Sequence, residues 1–555
     1  MKKGSINCSS NMSEITSAGI RTPIRRNTLF LVPLFLLIFI LQCAWFIRTQ
    51  SLTNDEPEHI IAGLEAWRYG EFQHWSGHPP LGRMLFALPL LNTNWKYHLA
   101  DNQVRLDVPA SEVWSTGPRI PGVLLGVAQL MLLWIAARYL FSESIANFVL
   151  GLAAFSPELI AHFSLATTDG IGCLFLFACI LQWLHYLHKP TWWNAVAFGF
   201  LAGLLLLAKY NSPPILVILL LLMLLLTPGK LKLNWTGQRW RRVALIVLIA
   251  CFVVWAGFLF HISKVVFANQ SVSISFAGYT KQLQYDMPTL NTPITLYWPA
   301  CEWFTGFGWR MAEDMGGHRS FLLGHYTMGS KLYFPIAMVL KWPPIILLLG
   351  AVGACIVLLR RLRNSSDLLM ISICPALYLL LAIMAPINIG VRHVLPVYPF
   401  LLLYAGAAGA WAAQRRWGWI LLPLLVLAQA ADTARYAPDD LAYFTPFVNP
   451  QRTWMLLSDS NTDWGQGLYA LRDYQAAHPA ETIHLAYVGE VDPAWMGIRY
   501  VRLGEQDHPS GTVIVSATQL SGQLLSDHGA YRWLLQYPVK AVLDHALYVF
   551  EVPPQ

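Results

Sequence analysis

Charge is scarce in this chain. Only 12% of its 555 residues are Asp, Glu, Lys or Arg, about half the roughly 25% of soluble domains. So few charges cannot coat a water-soluble protein of this length, which excludes a cytosolic enzyme and a disordered protein. Paired cysteines are also missing, since the eight cysteines include no CxxC. Cys43, Cys173, Cys179, Cys251, Cys355 and Cys374 lie in or beside apolar stretches, Cys8 is in the polar N-terminal segment, and only Cys301 falls in a long polar loop. A zinc site, a disulfide framework and a disulfide-rich secreted module are therefore not indicated. There is no internal repeat or low-complexity segment, and no basic stretch joins a nucleic-acid-binding motif. The formal net charge of +7 reads as membrane topology rather than as a nucleic-acid partner.

Apolar sequence is what abounds: 55% of the residues, with a mean hydropathy of +0.44. A crossing needs about 20 mostly apolar residues. Candidates fall near 29–47, 120–141, 145–162, 170–186, 192–208, 213–227, 243–261, 334–359, 368–385, 394–412 and 418–431, about eleven in all. The first follows Arg21, Arg25 and Arg26, is too long for a signal-peptide core and lacks a small-x-small cleavage site, so it reads as a retained anchor. With the N-terminus inside, Lys189, then Lys230, Lys232, Arg239, Arg241 and Arg242, then Arg360, Arg361 and Arg363, then Arg415 and Arg416 all fall on one side. That is the positive-inside pattern.

The expected architecture is thus mostly α, a polytopic membrane protein of about eleven transmembrane helices. It comprises a cytoplasmic tail (1–28), a membrane domain (29–431) with outer loops at about 48–119 and 262–333, and a small outer α/β domain (432–555). In that last domain strand-like runs at 454–457, 483–488, 513–515 and 548–552 alternate with a helix-like run at 468–477. In the first outer loop, Asn54-Asp55-Glu56-Pro57 is a helix-start signal. Ile60, Ile61, Leu64 and Trp67 follow at helical spacing with Glu58, Glu65 and Arg68 opposite, which predicts a helix lying in the membrane interface.

Short outer turns carry the informative charges. Asp169, Lys209 and the Arg392-His393 pair each sit on one. A charge at membrane depth costs about 2.5–3.5 kcal/mol on insertion scales. Snorkelling to the headgroups is the plain reading of each alone, but four such residues converging on one face point to function. Asp55 and Glu56 read either as a helix cap with a dipole partner or as a general base at the membrane surface. His78 lies in the rigid stretch Gly77-His78-Pro79-Pro80, and Glu302, Arg310, Asp314, His318, Arg319 and His325 crowd among glycines and aromatics in the second outer loop. Lys341 precedes Pro343-Pro344 within the next apolar stretch.

These motifs, in this order, resemble the type C glycosyltransferases, in particular the protein O-mannosyltransferase and aminoarabinose-transferase-like group. The matching residues are Asp55-Glu56, His78 to Gly82, Asp169, Lys209-Tyr210, Gly317-His318, Leu322 to Tyr326, Arg392 to Pro396 and Asp459 to Gln466, spread over nearly the whole chain. The resemblance implies transfer of a sugar from a polyprenyl-phosphate carrier to a hydroxyl of a protein, glycolipid or polysaccharide acceptor on the outer face. Such a leaving group gains negative charge as it departs. At an effective dielectric near 20, a unit charge about 4 Å away is worth about 4 kcal/mol, roughly a thousandfold in rate. Lys209 and Arg392 are the first cations for it, with His393 and Lys341 behind them. Asp55 is the expected base, with Glu56 and Asp169 as further catalytic carboxylates. His78, His318, Arg310 and Tyr210 are expected to contact substrate.

No metal residue is assigned. A divalent ion is left open, because Asp55, Glu56, His78 and His318 supply oxygen and nitrogen donors but no HExxH-like spacing. Gly465-Gln466-Gly467-Leu468-Tyr469-Ala470 formally matches GxGxxA, but it lacks the tight strand-to-helix turn of a nucleotide site. Glycoside hydrolysis would leave the turn cations without a task. The competing class is a lipid or sugar flippase, which would place its charges at mid-membrane between repeated halves. The absence of an ER-retrieval tail favours a bacterial plasma membrane, with the site facing the periplasm.

Overall fold

The computed structural model describes residues 26–72, 77–93, 97–100, 103–106, 112–227, 230–231, 237–268, 271–276, 279–284, 294–362 and 364–554. The expected tail before residue 26, together with Lys232 and Arg363 of the basic clusters, lies outside the described residues.

Among the described residues, six helices are long and apolar enough to cross a membrane, and eight if two bent pairs each count once. The chain opens with α1 (Arg26–Thr49). It continues through α2 (Glu56–Tyr69), α3 (Pro80–Ala87) and α4 (Glu112–Leu140). Next come α5 (Glu143–Ala154), α6 (Pro157–Ser164), α7 (Thr168–His188), α8 (Trp192–Ala208), α9 (Pro213–Leu225) and α10 (Gly237–Gly257). Within the 262–333 segment lies α11 (Cys301–Gly316), and after it follow α12 (Tyr333–Lys341), α13 (Pro344–Leu358), α14 (Ser365–Met384), α15 (Tyr398–Ala412) and α16 (Gly418–Thr433). Helices α8, α9 and α16 are apolar but short. They occupy three of the expected segments.

Two expected spans are not straight. The 145–162 stretch bends by 63° between α5 and α6, and the 334–359 stretch by 118° between α12 and α13. Proline is the cause in each case, because a residue before Pro avoids helical backbone. Ser156 is extended before Pro157, and its hydroxyl caps the new helix at Leu159 N. Trp342 is extended (ψ 139) before Pro343-Pro344.

Helix α2 fits its start signal, with proline in the first turn and a left-handed Gly70 (φ 67) at its end. The expected one-sided burial does not hold. His59 to Ala66 are all buried, Glu65 among them: Ile60 and Leu64 pack against the C-terminal segment, while α3 lies against Gly63 and its Arg83 pairs with Glu58. The second outer loop holds an antiparallel four-stranded sheet between residues 262 and 299, ahead of α11.

The C-terminal segment forms a five-stranded mixed sheet in the order Val501–Arg502, Ile483–Ala486, Gly511–Ser516, Leu547–Val552, Val539–Leu543. The expected helix falls at Leu468–Ala477. The run at 454–457, expected as a strand, is not one: Pro450–Met455 is a 3-10 turn started by Asn449 and Pro450.

Candidate active site

Four element ends meet where α2 begins. Asp55 precedes α2, Asp169 lies in the first turn of α7, Lys209 directly follows α8, and Arg392 lies on the 3-10 turn Val391–Val397 that leads into α15. Arg392 Nη1 donates to Asp55 Oδ2 at 3.0 Å and reaches Asp169 Oδ2 at 3.5 Å. Lys209 Nζ donates to Asp169 Oδ1. Acid and base therefore alternate along the row Asp55, Arg392, Asp169, Lys209. An isolated buried charge is expensive, whereas an alternating row satisfies each member with its neighbours. Room for this row comes from glycine. A Cβ on Gly172 would sit 3.0 Å from Lys209 Cδ, so the bare helix face lets the lysine stem lie along α7.

Asp55 is the most open of the four, its side chain 26% exposed against 9% for Arg392 and 5% for Asp169. It makes no side-chain cap to α2, so the capping reading fails and the carboxylate faces Arg392 instead. Its neighbour Glu56 faces the other way. Arg119 Nε and Nη2 donate to Glu56 Oε1 and Oε2 at 2.8 and 2.6 Å, and the backbone N–H groups of Ala166 and Thr53 fill the remaining positions at 2.7 and 2.8 Å. Both Glu56 and Arg119 are wholly buried. The Glu56 oxygens thus join the 50–56 segment to the turn that carries Asp169. Arg119 completes the joint by donating to Gln50 O and Ser51 O, each at 2.7 Å.

Lys341 is likewise engaged by neighbouring chain segments. Its Nζ donates to the carbonyls of Leu441 (2.9 Å) and Asn461 (2.5 Å) and lies 4.7 Å from the Phe444 ring centre. It sits at the α12–α13 break and ties down a loop of the C-terminal segment.

The remaining expected residues flank the row. His78 Nδ1 lies 3.1 Å from Thr168 Oγ1, at the start of α7, and its ring meets His59 edge-on at 4.8 Å. Burial keeps both rings neutral, pushing His59 down to about 3 and His78 well below its ordinary value. His393, Arg310 and Tyr210 line a cavity of about 220 Å3 together with apolar groups such as Pro214, Phe334 and Leu381. His393 Nε2 is buried with no hydrogen-bond partner among the described residues. Arg310 is also paired within α11, with Glu313 and Asp314 at 3.0 and 2.9 Å. His318 stands apart, its Nδ1 on the Arg319 carbonyl at 2.8 Å. Asp55, Glu56, His78 and His318 thus do not converge as a metal-ligating set, and among the described residues no other group of three does.

Three contributors were given no role from the sequence, although one of them, Trp464, lies in the matching stretch Asp459 to Gln466. Arg119 carried a usable signal, a guanidinium abutting an apolar stretch. Trp464 lies with its ring centre 3.8 Å from the Arg392 guanidinium carbon. Glu490 faces the first outer loop from the C-terminal segment. Burial, then the negative charges of Glu58 and Asp55, push its carboxyl up to about 9. Burial also raises Glu58, to about 7, against the opposing pull of Arg83.

Residues 112–258 match the family described as dolichyl-phosphate-mannose-protein mannosyltransferase. ArnT from Cupriavidus metallidurans in the apo state is 14% identical, with 95% of this chain and 99% of that chain covered at a TM-score of 0.48. The same protein bound to undecaprenyl phosphate is 13% identical over the same shares, at 0.47. The S. cerevisiae protein O-mannosyltransferase Pmt1-Pmt2 complex bound to the sugar donor is 9% identical, with 77% of this chain and 91% of that chain covered at 0.53. No curated protein matches the chain. The fold is that of the multi-span, type C glycosyltransferases.

Proposed function

We propose that the protein is a membrane glycosyltransferase that moves a sugar from a polyprenyl-phosphate carrier to a hydroxyl acceptor, with Asp55 as general base. The observation that carries this reading is the alternating row Asp55, Arg392, Asp169, Lys209. An arriving phosphate competes with carboxylates for the same cations, and it takes Lys209 and Arg392 as its partners. Asp55 then loses its guanidinium and gains basicity just as the donor arrives. The acceptor oxygen attacks the anomeric carbon while the bond from that carbon to the phosphate oxygen breaks. The bonding pair leaves on the phosphate, the acceptor proton passes to Asp55, and in-line attack inverts the anomeric centre. Asp169 holds Lys209 and Arg392 at their spacing throughout. The cavity beside His393, polar at Arg310 and Asn211 and otherwise mostly apolar, suits an isoprenoid chain entering from the bilayer.

With eleven crossings and an inside N-terminus, the row and the C-terminal domain share the outer face, the periplasmic side of a bacterial inner membrane. The acceptor is a protein, lipid or glycan hydroxyl. The test is turnover by the full-length protein in detergent with a panel of polyprenyl-phosphate sugars and mass detection of products. Wild type gives product, and Asp55→Asn loses it while still binding undecaprenyl phosphate. Vesicle transport of the lipid without product from any donor would instead make the protein a flippase.

A further inference from the structure

The loop 459–466 belongs to the C-terminal domain by chain order, yet it touches both sides of the charged row. On one side the Trp464 carbonyl accepts from Asn54 N and the Gln466 carbonyl from Ser51 N, each at 2.8 Å. Ser51 Oγ donates to the same Gln466 carbonyl at 2.6 Å. These bonds fix the segment that ends in Asp55. On the other side Ser460 Oγ donates to the Ile389 carbonyl at 2.8 Å, and Asn461 Oδ1 accepts from Val391 N at 2.9 Å. These fix the segment that presents Arg392. Gly390 permits the approach, since a Cβ there would lie 2.2 Å from Ser460 Oγ.

The loop is itself braced. Asn461 Nδ2 donates to Tyr333 Oη and to the Ser458 carbonyl, both at 2.9 Å. Gln466 Oε1 accepts from Trp464 N at 2.7 Å, and its Nε2 donates to the Thr462 carbonyl at 3.1 Å. Lys341 holds the Asn461 carbonyl. The Trp464 ring, 3% exposed, lies under the Arg392 guanidinium. An aromatic face attracts a cation without consuming any of its N–H donors. A guanidinium held in this way keeps its donors for oxyanions, and Arg392 Nε is buried without a hydrogen-bond partner among the described residues.

We infer that Trp464 is a positioning residue for the donor phosphate: it orients Arg392 from below, so that the C-terminal domain completes the active site rather than merely docking on the membrane body. This rests on the reading of Arg392 as a phosphate partner, and the experiment separates the two. The full-length protein is titrated with undecaprenyl phosphate as wild type, Arg392→Gln, Trp464→Phe and Trp464→Leu, with donor and acceptor KM measured alongside. Leu keeps an apolar side chain against Phe46, Ala161, Leu165 and Leu441 but removes the ring face, whereas Phe retains it.

The expected result is binding about thirtyfold weaker in Trp464→Leu, the loss of a desolvated cation–ring contact. Trp464→Phe stays within about threefold, and acceptor KM is unchanged in both. If Trp464→Leu does not fold, Trp464→Met carries the same comparison with Phe. Weak binding by Arg392→Gln with normal binding by Trp464→Leu overturns the inference alone, as does an equal loss in Phe and Leu. Normal binding by Arg392→Gln overturns the donor-site reading and the inference with it.

Discussion

Replacing Lys209 by Met keeps most of the side-chain length along α7 and removes the charge. Two effects can be separated. The first is catalytic. An ammonium about 4 Å from a departing phosphate at an effective dielectric near 20 contributes about 4 kcal/mol, so kcat/KM falls by up to roughly a thousandfold. The second is structural, because Asp169 loses one of its two cations. Breaking a buried pair by removing one partner costs about 3–5 kcal/mol. Here the cost is smaller, since Arg392 Nη1 already lies 3.5 Å from Asp169 Oδ2 and can move toward it. That movement draws Arg392 away from Asp55, so the row reorganises rather than collapses.

The double variant Lys209→Met with Asp169→Asn removes the charge imbalance. It should recover most of the lost melting temperature and none of the activity. The assay is undecaprenyl phosphate titration, single-turnover transfer and thermal melting on the same preparations. Donor affinity within about threefold of wild type in Lys209→Met would refute the assignment of this lysine to the phosphate. Recovery of turnover in the double variant would show that the single loss was only a folding effect.

Glu56→Gln leaves the buried Arg119 without its counter-charge, and stability should fall by about 3–5 kcal/mol, read as a lower melting temperature. If Glu56→Gln were as stable as wild type but inactive, Glu56 would belong to the chemistry. Glu58 and Glu490 set a pH dependence. Their carboxyls are raised from the ordinary 4.5 to about 7 and about 9, so the folded state binds protons that the unfolded chain releases. The penalty is absent below about 4.5 and grows as pH climbs through those two values. The melting temperature should therefore decline from pH 5 to pH 9, and Glu58→Gln with Glu490→Gln should flatten that decline. An unchanged slope in the double variant would remove these two groups as its origin.

What the sequence makes legible is where charges stand; what it hides is which partner each one faces. Asp169, Lys209 and Arg392 stand out from sequence because a charge on a short turn between apolar runs has a solvation cost that ordinary surface chemistry does not explain. Most helices are equally visible, since runs of apolar residues bounded by Pro, Gly or charge leave the chain little choice. Partnering is another matter. Asp55 and Glu56 are adjacent, chemically alike and both acidic at one helix start, yet one opens onto Arg392 and the other closes on Arg119. The difference lies in which way each carboxylate points as the chain enters α2, and Arg119 and Arg392 lie 63 and 337 residues from these carboxylates.

The partners of Lys341 are hidden for a related reason. Its place in an apolar run marks it as costly, but the break at Pro343-Pro344 turns it toward two backbone carbonyls that need a donor. The bent helix pairs follow the same logic: the prolines are plain in the sequence, whereas the angle depends on what the second half packs against. A charged residue in an apolar context is thus a sound pointer to a site of strain or function. Choosing between the two requires its counter-charge, and in this protein those counter-charges come from chain segments far away in sequence.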